Sequence, residues 1–217
     1  MKIELTVKTL QKEAKKFSEI ESSYQETSLY GVTDGKAVGT YFEHKFQLYL
    51  HKKYQYIEGS SAKGIDFPEL MVDMKVTSKR QPQSSCPFKS ARQKIYGLGY
   101  SLLIFVYNKT DNHADKTGML DILDVIYIDA SRTGDFQTTS GLVEILKNNG
   151  NKEDILAFFE DRNLPVDDIM AEKLASELLL NRPIIGYLTI SNALQWRLQY
   201  TRAISKAGEI SGINKVI

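Results

Sequence analysis

Residues 63–75 read Lys-Gly-Ile-Asp-Phe-Pro-Glu-Leu-Met-Val-Asp-Met-Lys and place the carboxylates of Asp66 and Asp73 and the ammonium of Lys75 among apolar side chains. Asp73 and Lys75 lie two positions apart, so they project from the same face of a strand. Asp66 precedes a Pro-Glu break at which the chain can fold back towards Asp73. Such a cluster is costly in an apolar setting unless it meets a cation and a polyanion. The pattern therefore predicts metal-dependent cleavage of a phosphodiester.

The elements that must position these residues are a hairpin and a preceding helix. Two apolar runs, 64–67 and 70–76, flank the Pro-Glu break and predict the strands of a tight hairpin. Upstream, Asp34 can cap a helix of about 18 residues that carries Gly39 and Glu43 on one face. The missing side chain of Gly39 leaves room beside Glu43 for the hairpin or for a phosphate.

The rest of the chain predicts helices around two further strands. Residues 77–87 are rich in Ser, Gln and Pro and predict an ordered loop. Ser101–Tyr107 is an unbroken apolar run, as expected of a strand covered on both faces. A further strand is predicted at 119–128, and helices are predicted at 5–27, 88–98, 141–148, 152–162, 166–181 and 191–206.

This order of elements predicts an α/β fold, with a small mixed central β-sheet flanked by helices and a helical C-terminal part. We expect residues 1–140 to form the core with its N-terminal helix. Residues 141–217 would form a helical region that packs on the core as one unit and supplies specificity or dimer contacts. Within it, Ser191 can cap a helix holding Trp196, Arg197 and Arg202, which is either a packing or dimer helix or part of a helix-turn-helix.

Composition is that of an ordinary globular protein. The 217 residues are 42% hydrophobic and 25% charged, with a net charge of +1. Cys86 is the single cysteine, which excludes an internal disulfide and a cysteine cluster for zinc. No run approaches the roughly 18 apolar residues of a membrane span, and no apolar signal region opens the chain. We therefore expect a cytoplasmic protein with no membrane partner.

The charges are unevenly distributed. Residues 59–100 carry seven basic and three acidic residues, whereas residues 111–172 carry five basic and fourteen acidic ones. The last 45 residues carry six basic and two acidic residues. This segregation favours a polyanion near the hairpin and the C-terminal region, although chance clustering of surface charge would look the same.

The ordered set Glu43, Asp66, Asp73 and Lys75 resembles the PD-(D/E)XK nuclease superfamily across residues 35–107. Ile65 stands where the motif has proline, and six residues separate the two aspartates, a short spacer for this family. The resemblance implies a catalytic set of Glu43, Asp66, Asp73 and Lys75. It also implies Mg²⁺ bound by Asp66, Asp73 and the Met74 carbonyl, with Lys75 acting on the water or phosphate and Glu43 ligating directly or through water.

The basic and polar residues around the hairpin are the candidates for DNA contact, because such side chains neutralise phosphates and read base edges. Ser61 and Lys63 precede the hairpin and could hold a backbone phosphate. A solvated polar loop is the alternative for any one of the residues that follow it. These are Lys79, Arg80, Gln81, Gln83, Lys89, Arg92 and Gln93.

The function implied is that of a type II restriction endonuclease, which cuts double-stranded DNA in a sequence-specific way. We expect a homodimer, since a twofold axis would direct two active sites to the two strands of a palindrome. Two alternatives are a structure-specific resolvase or repair nuclease, and a DNA-binding regulator without catalytic activity.

Overall fold

The computed structural model describes residues 2–59, 64–191 and 197–217. Within these ranges the α-helices are α1 (Val7–Glu21), α2 (Gly35–His51), α3 (Ala91–Tyr96), α4 (Phe136–Lys147), α5 (Lys152–Asp161), α6 (Asp168–Leu180) and α7 (Thr201–Lys206). The strands are β1 (Ile3–Glu4), β2 (Gln25–Glu26), β3 (Tyr54–Gln55), β4 (Val72–Ser78), β5 (Gln83–Ser85), β6 (Ser101–Asn112), β7 (Thr117–Ile128), β8 (Thr189–Ser191), β9 (Arg197–Gln199) and β10 (Ile213–Lys215). The predicted α/β class is confirmed.

The central sheet has the strand order β10-β7-β6-β4, with β2 also paired to β7. β4 runs parallel to β6, whereas β6 and β10 run antiparallel to β7. The sheet is therefore mixed, as predicted, and β4 forms its edge. The apolar run at 101–107 is buried, and β6 continues beyond it to Asn112 through polar residues that periodicity did not predict.

Helices α1 and α2 cover one face of this sheet. Phe42 and Phe46 of α2 pack on Phe105 of β6, with ring centroids 4.8 and 5.3 Å apart. α2 begins where predicted, because the Asp34 side chain accepts a hydrogen bond from the Lys36 N–H at 3.0 Å. Burial of this aromatic cluster fixes α2, and Glu43 with it, against β4.

The opposite face carries a second, three-stranded antiparallel sheet of order β5-β9-β8. Leu198 and Tyr200 of this part of the chain are fully buried against Leu102 and Ile104 of β6. Helices α3 to α6 form a third apolar cluster beside the sheets. β10 returns to pair with β7, so the C-terminal region contributes a strand to the central sheet.

Four local predictions were wrong. The helix predicted over 5–27 ends at Glu21, and Gln25–Glu26 is a strand that pairs with β7. Residues 64–67 form no regular strand: Phe67 makes one antiparallel bridge with Val72, and Pro68–Leu70 is a 3-10 helix. Proline has no N–H for a ladder, and the short spacer leaves no length for one. The predicted loop 77–87 contains β5 and the last residues of β4. Residues 192–196 of the predicted helix 191–206, Trp196 among them, lie outside the described residues. In the described part of this range, Ser191 and Arg197–Gln199 are strand and Thr201–Lys206 is the only helical segment.

Candidate active site

Strand β4 presents the acid and the lysine of the predicted site on one face. The Lys75 Nζ lies 2.7 Å from the Asp73 Oδ2. Asp73 is only 4% exposed, whereas the Lys75 side chain keeps 29% of its surface. The alternation of a strand thus gives the shared face that the spacing predicted, with the carboxylate enclosed and the ammonium at the rim.

Asp66 reaches the same strand from the turn. Its Oδ2 accepts a hydrogen bond from the backbone N–H of Met74 at 2.8 Å. Because β4 is an edge strand, this N–H points away from β6 and has no partner strand, and the Asp66 carboxylate takes that place. The N–H and C=O of one strand residue point the same way, so the Met74 carbonyl faces the Asp66 side as well. Asp66, Asp73 and Met74 are brought together as predicted.

Glu43 lies on α2, which packs against β4. Burial raises the pKa of Glu43 to about 7; the Asp66 charge also raises this pKa, and the Lys75 charge lowers it. The helix therefore brings Glu43 within electrostatic reach of both residues. Gly39, one turn earlier, does not have to be glycine for the hairpin to fit. A methyl group there would lie 4.0 Å from the Val76 carbonyl oxygen, an ordinary contact.

The cluster holds more negative charge than one lysine balances. Burial raises the pKa of Asp73 to about 7, opposed by the Lys75 charge and reinforced by the Asp66 carboxylate. Two carboxyl groups near pKa 7 beside a third carboxylate carry a cost that a bound cation would relieve.

The donor set fits a hard cation held by few protein ligands. Asp66 and Asp73 offer carboxylate oxygens, and Met74 offers a backbone carbonyl. Mg²⁺ characteristically takes one or two carboxylates and keeps water and phosphate oxygens as its other ligands. Among the described residues no group of three or more His, Cys, Asp or Glu side chains is placed to hold a metal, so the candidate ligand set there is two carboxylates and a backbone carbonyl.

Two tyrosines near the site were missed by sequence reasoning. Leu102 pairs with Asp73, so Tyr100, two residues earlier, lies on the face of the sheet that carries Asp73. Burial raises the pKa of Tyr100 to about 12, and the Asp73 charge adds to this rise. Tyr200 is fully buried and hydrogen-bonds Ser84 at 2.5 Å. Only the pairing register of β4 and β6 shows that Tyr100 lies on the same face as Asp73, and the sequence does not reveal this register.

The predicted DNA-contact residues fall into two groups. Lys79, Arg80 and Gln81 are exposed in the turn that leaves β4, directly after the active-site strand. The Thr77 hydroxyl stabilises this turn. It accepts a hydrogen bond from the Gln83 N–H at 3.0 Å and donates one to the Gln81 carbonyl at 3.3 Å. These side chains are therefore presented to solvent at the end of the strand that carries Asp73 and Lys75.

The second group lies around α3 and is largely committed to the protein itself. Arg92 pairs with Glu177 of α6, with its Nη2 2.7 Å from the Glu177 Oε1. The Gln93 Oε1 accepts from the Lys89 N–H at 2.7 Å, so this amide fixes the chain entering α3. The structure thus gives Arg92 and Gln93 internal partners that disfavour their predicted role in DNA contact. Ser61 and Lys63 lie outside the described residues.

A mixed sheet flanked by helices, with carboxylates and a lysine at its edge strand, defines a restriction-endonuclease-like protein. Comparison with known proteins agrees. A family model described as the type II restriction enzyme NspV matches residues 4–215. The type II restriction enzyme NspV of Nostoc sp. (strain ATCC 29411 / PCC 7524) is 63% identical over 209 residues, which are 96% of this chain and 95% of that protein.

The chain belongs to the NspV family of type II restriction enzymes. It is therefore a sequence-specific endonuclease that hydrolyses double-stranded DNA, and enzymes of this class generally depend on a metal ion. No solved structure matches the chain. In the described part of the chain, no helix is long and apolar enough to cross a membrane.

Proposed function

We propose that the enzyme cuts DNA at a PD-(D/E)XK-type site with Mg²⁺ as its cofactor. The observation that carries this proposal is the meeting of Asp66 and Asp73 at the edge of β4, with the Met74 carbonyl facing the same side. These three groups would hold the cation. When bound, Mg²⁺ supplies charge neutralisation at the phosphate and a more acidic water.

Lys75 is proposed to act on the attacking water or on the phosphate. Its ammonium is tied to Asp73 and still partly exposed, so it can turn towards a phosphate that enters beside the strand. Glu43 would orient water at the cation or bind it directly, since it senses the charges of both Asp66 and Lys75. A general acid or base of this kind contributes about 10²–10⁴ in rate.

The exposed turn is proposed to contact the duplex. Lys79 and Arg80 follow the catalytic strand without an intervening element, about 13–17 Å beyond Lys75 along an extended chain, so they would hold a phosphate a few nucleotides away from the one that is cut. We propose three further contacts with the duplex, at Gln81, Gln83 and Lys89. The enzyme must share a compartment with its DNA substrate, so we propose that it is cytoplasmic.

We propose that the enzyme is a homodimer. The chain carries one carboxylate and lysine cluster at β4, whereas a duplex has two strands of opposite polarity that must both be cut. A twofold axis would present one site to each strand. Residues 141–217 are proposed to supply dimer or specificity contacts, and the exposed apolar residues of α6, which include Ile169 and Leu180, lie in this region.

A plasmid digest tests the site and its cofactor together. Wild-type enzyme should give discrete bands in Mg²⁺ and none in EDTA. Lys75→Ala should lose at least about a hundredfold in cleavage rate while retaining its circular dichroism spectrum. Lys8→Ala, which removes an exposed lysine of α1, is the matched control and should cut normally. Cleavage by Lys75→Ala at the wild-type rate would show that Lys75 is not a catalytic residue.

A further inference from the structure

The three-stranded sheet β5-β9-β8 has one apolar and one polar face. Ser84, Leu198 and Ile190 form its central cross-strand row. Leu198 is fully buried, Ile190 packs on the same cluster, and the Ser84 hydroxyl bonds the buried Tyr200. This row therefore faces the protein core.

The two flanking rows project from the other face, because side chains alternate along each strand. One row is Gln83, Gln199 and Thr189, and the other places Ser85 beside Arg197. Among the described residues, the side chains of Gln83 and Gln199 make no hydrogen bond. The Thr189 Oγ1 is enclosed, so this hydroxyl is not available to an external ligand.

Glutamine amides and a guanidinium arranged on a narrow sheet match the chemistry of base edges. Gln can bond the N6 and N7 of adenine and Arg the O6 and N7 of guanine. Three strands about 4.8 Å apart span roughly 10 Å, which fits a major groove about 12 Å wide. A surface that bound only phosphate would instead be dominated by lysine and arginine.

The sheet is tied directly to the catalytic strand. Thr77, two residues after Lys75, accepts a hydrogen bond from the Gln83 N–H at 3.0 Å. The Tyr200 N–H donates to the Pro82 carbonyl at 2.9 Å. A base held against Gln83 and Gln199 would thus be fixed in position relative to the carboxylates of β4.

We propose that this face, which we term the reading face (Gln83, Ser85, Arg197 and Gln199), recognises bases of the target sequence in the major groove. Gln199 is a specificity residue that the sequence did not indicate, and Gln83 acts beside Gln199 as part of one row. The proposal rests on the restriction activity of the family. It does not depend on which metal ion the active site binds.

Binding without cleavage tests the reading face separately from catalysis. The target is the sequence read from the ends of plasmid fragments cut by the wild-type enzyme. Binding to that duplex and to a random duplex is measured in Ca²⁺, in the Lys75→Ala background. Gln199→Met keeps the length of the side chain and removes its amide, and we expect it to weaken binding to the target about tenfold or more and to leave random binding unchanged.

Gln55→Ala removes an exposed glutamine on β3 and serves as the matched control, with target binding expected to stay unchanged. Gln83→Met gives a second variant in the same row and should behave as Gln199→Met does. Thermal melting of each variant checks the fold. An unchanged target affinity for both variants, or an equal loss on both duplexes, would overturn the reading role. Loss of cleavage by Lys75→Ala is scored separately and concerns only the active site.

Discussion

The Asp66 carboxylate and the Met74 backbone N–H are joined by a hydrogen bond of 2.8 Å at the open edge of the central sheet. One side chain therefore both completes the backbone bonding of the catalytic strand and supplies charge to the candidate metal site. Substitutions at Asp66 can separate these two roles, because an amide keeps the acceptor and loses the charge.

Asp66→Asn should retain the fold and lose cleavage, whereas Asp66→Ala should lose both cleavage and stability. Leaving the Met74 N–H without its partner costs about 1–3 kcal/mol in the free energy of unfolding. Urea unfolding of the two variants measures this difference, and a plasmid digest measures activity. Equal stability of the two variants would show that water replaces the carboxylate at this N–H.

The stability of the metal-free enzyme should fall as the pH rises. The pKa values of Asp73 and Glu43 are raised from 3.8 and 4.5 to about 7 in the folded chain. Between about pH 4 and pH 7, the folded protein keeps protons on these two carboxyl groups that the unfolded chain has released. The free energy of unfolding therefore falls as the pH rises through this range. Urea midpoints at about pH 5 and pH 8 measure the effect.

Two comparisons assign that pH dependence to the cluster. Asp73→Asn combined with Glu43→Gln should flatten the fall, because neither amide titrates. Ca²⁺ at about pH 8 should restore the midpoint of the wild type, since a cation stabilises the ionised carboxylates. An equally steep fall in the double variant would place its origin elsewhere in the molecule.

Gly39→Ala should stabilise the free enzyme. A methyl group there makes only an ordinary contact, 4.0 Å from the Val76 carbonyl oxygen, and alanine in place of a helical glycine contributes about 0.5–1 kcal/mol. Thermal melting measures the gain. A variant that is more stable and yet cuts DNA poorly would indicate that DNA, rather than the hairpin, approaches Gly39. A destabilised variant would contradict the 4.0 Å clearance between this methyl group and the Val76 carbonyl oxygen.

Arg80 and Arg92 should differ in their effect on DNA binding. Arg80 is exposed in the turn after β4, whereas Arg92 is paired with Glu177. Arg80→Ala should reduce the slope of log affinity against log salt by about one if it contacts a phosphate. If Arg80 reads a guanine, its loss should instead cost about 1–3 kcal/mol on the target alone. Arg92→Ala should change neither the salt slope nor the affinity for the target. A salt slope reduced equally by Arg80→Ala and Arg92→Ala would contradict this difference between the two arginines.

The candidate site was predictable where it depends on local periodicity. The spacing of Asp73 and Lys75 determines a shared face on any strand, and Asp34 marks the start of the helix that carries Glu43. The fold-back of Asp66 was predicted as well. Its bond to a backbone N–H was not, because that bond exists only once β4 is known to be an edge strand.

The short strands were not predictable from sequence in the same way. β5, β8 and β9 have three residues each, too few for an alternation to stand out from a loop. Ser191 and the following arginines read as a capped helix, and tertiary pairing with β5 overrides that local preference. The same limit explains why the pairing of Arg92 with Glu177 was not predicted, since Glu177 is distant in the sequence.

The Ser84 and Tyr200 hydroxyls are in contact although 116 positions separate them in the chain. The neighbouring strands β5 and β9 join equally distant parts of the sequence into one surface. Grafting a single continuous segment from a relative with another target would therefore replace at most two of the three positions in each cross-strand row. Attempts to redirect this enzyme to new DNA should exchange both segments together, and laboratory evolution should recover paired changes far apart in the gene.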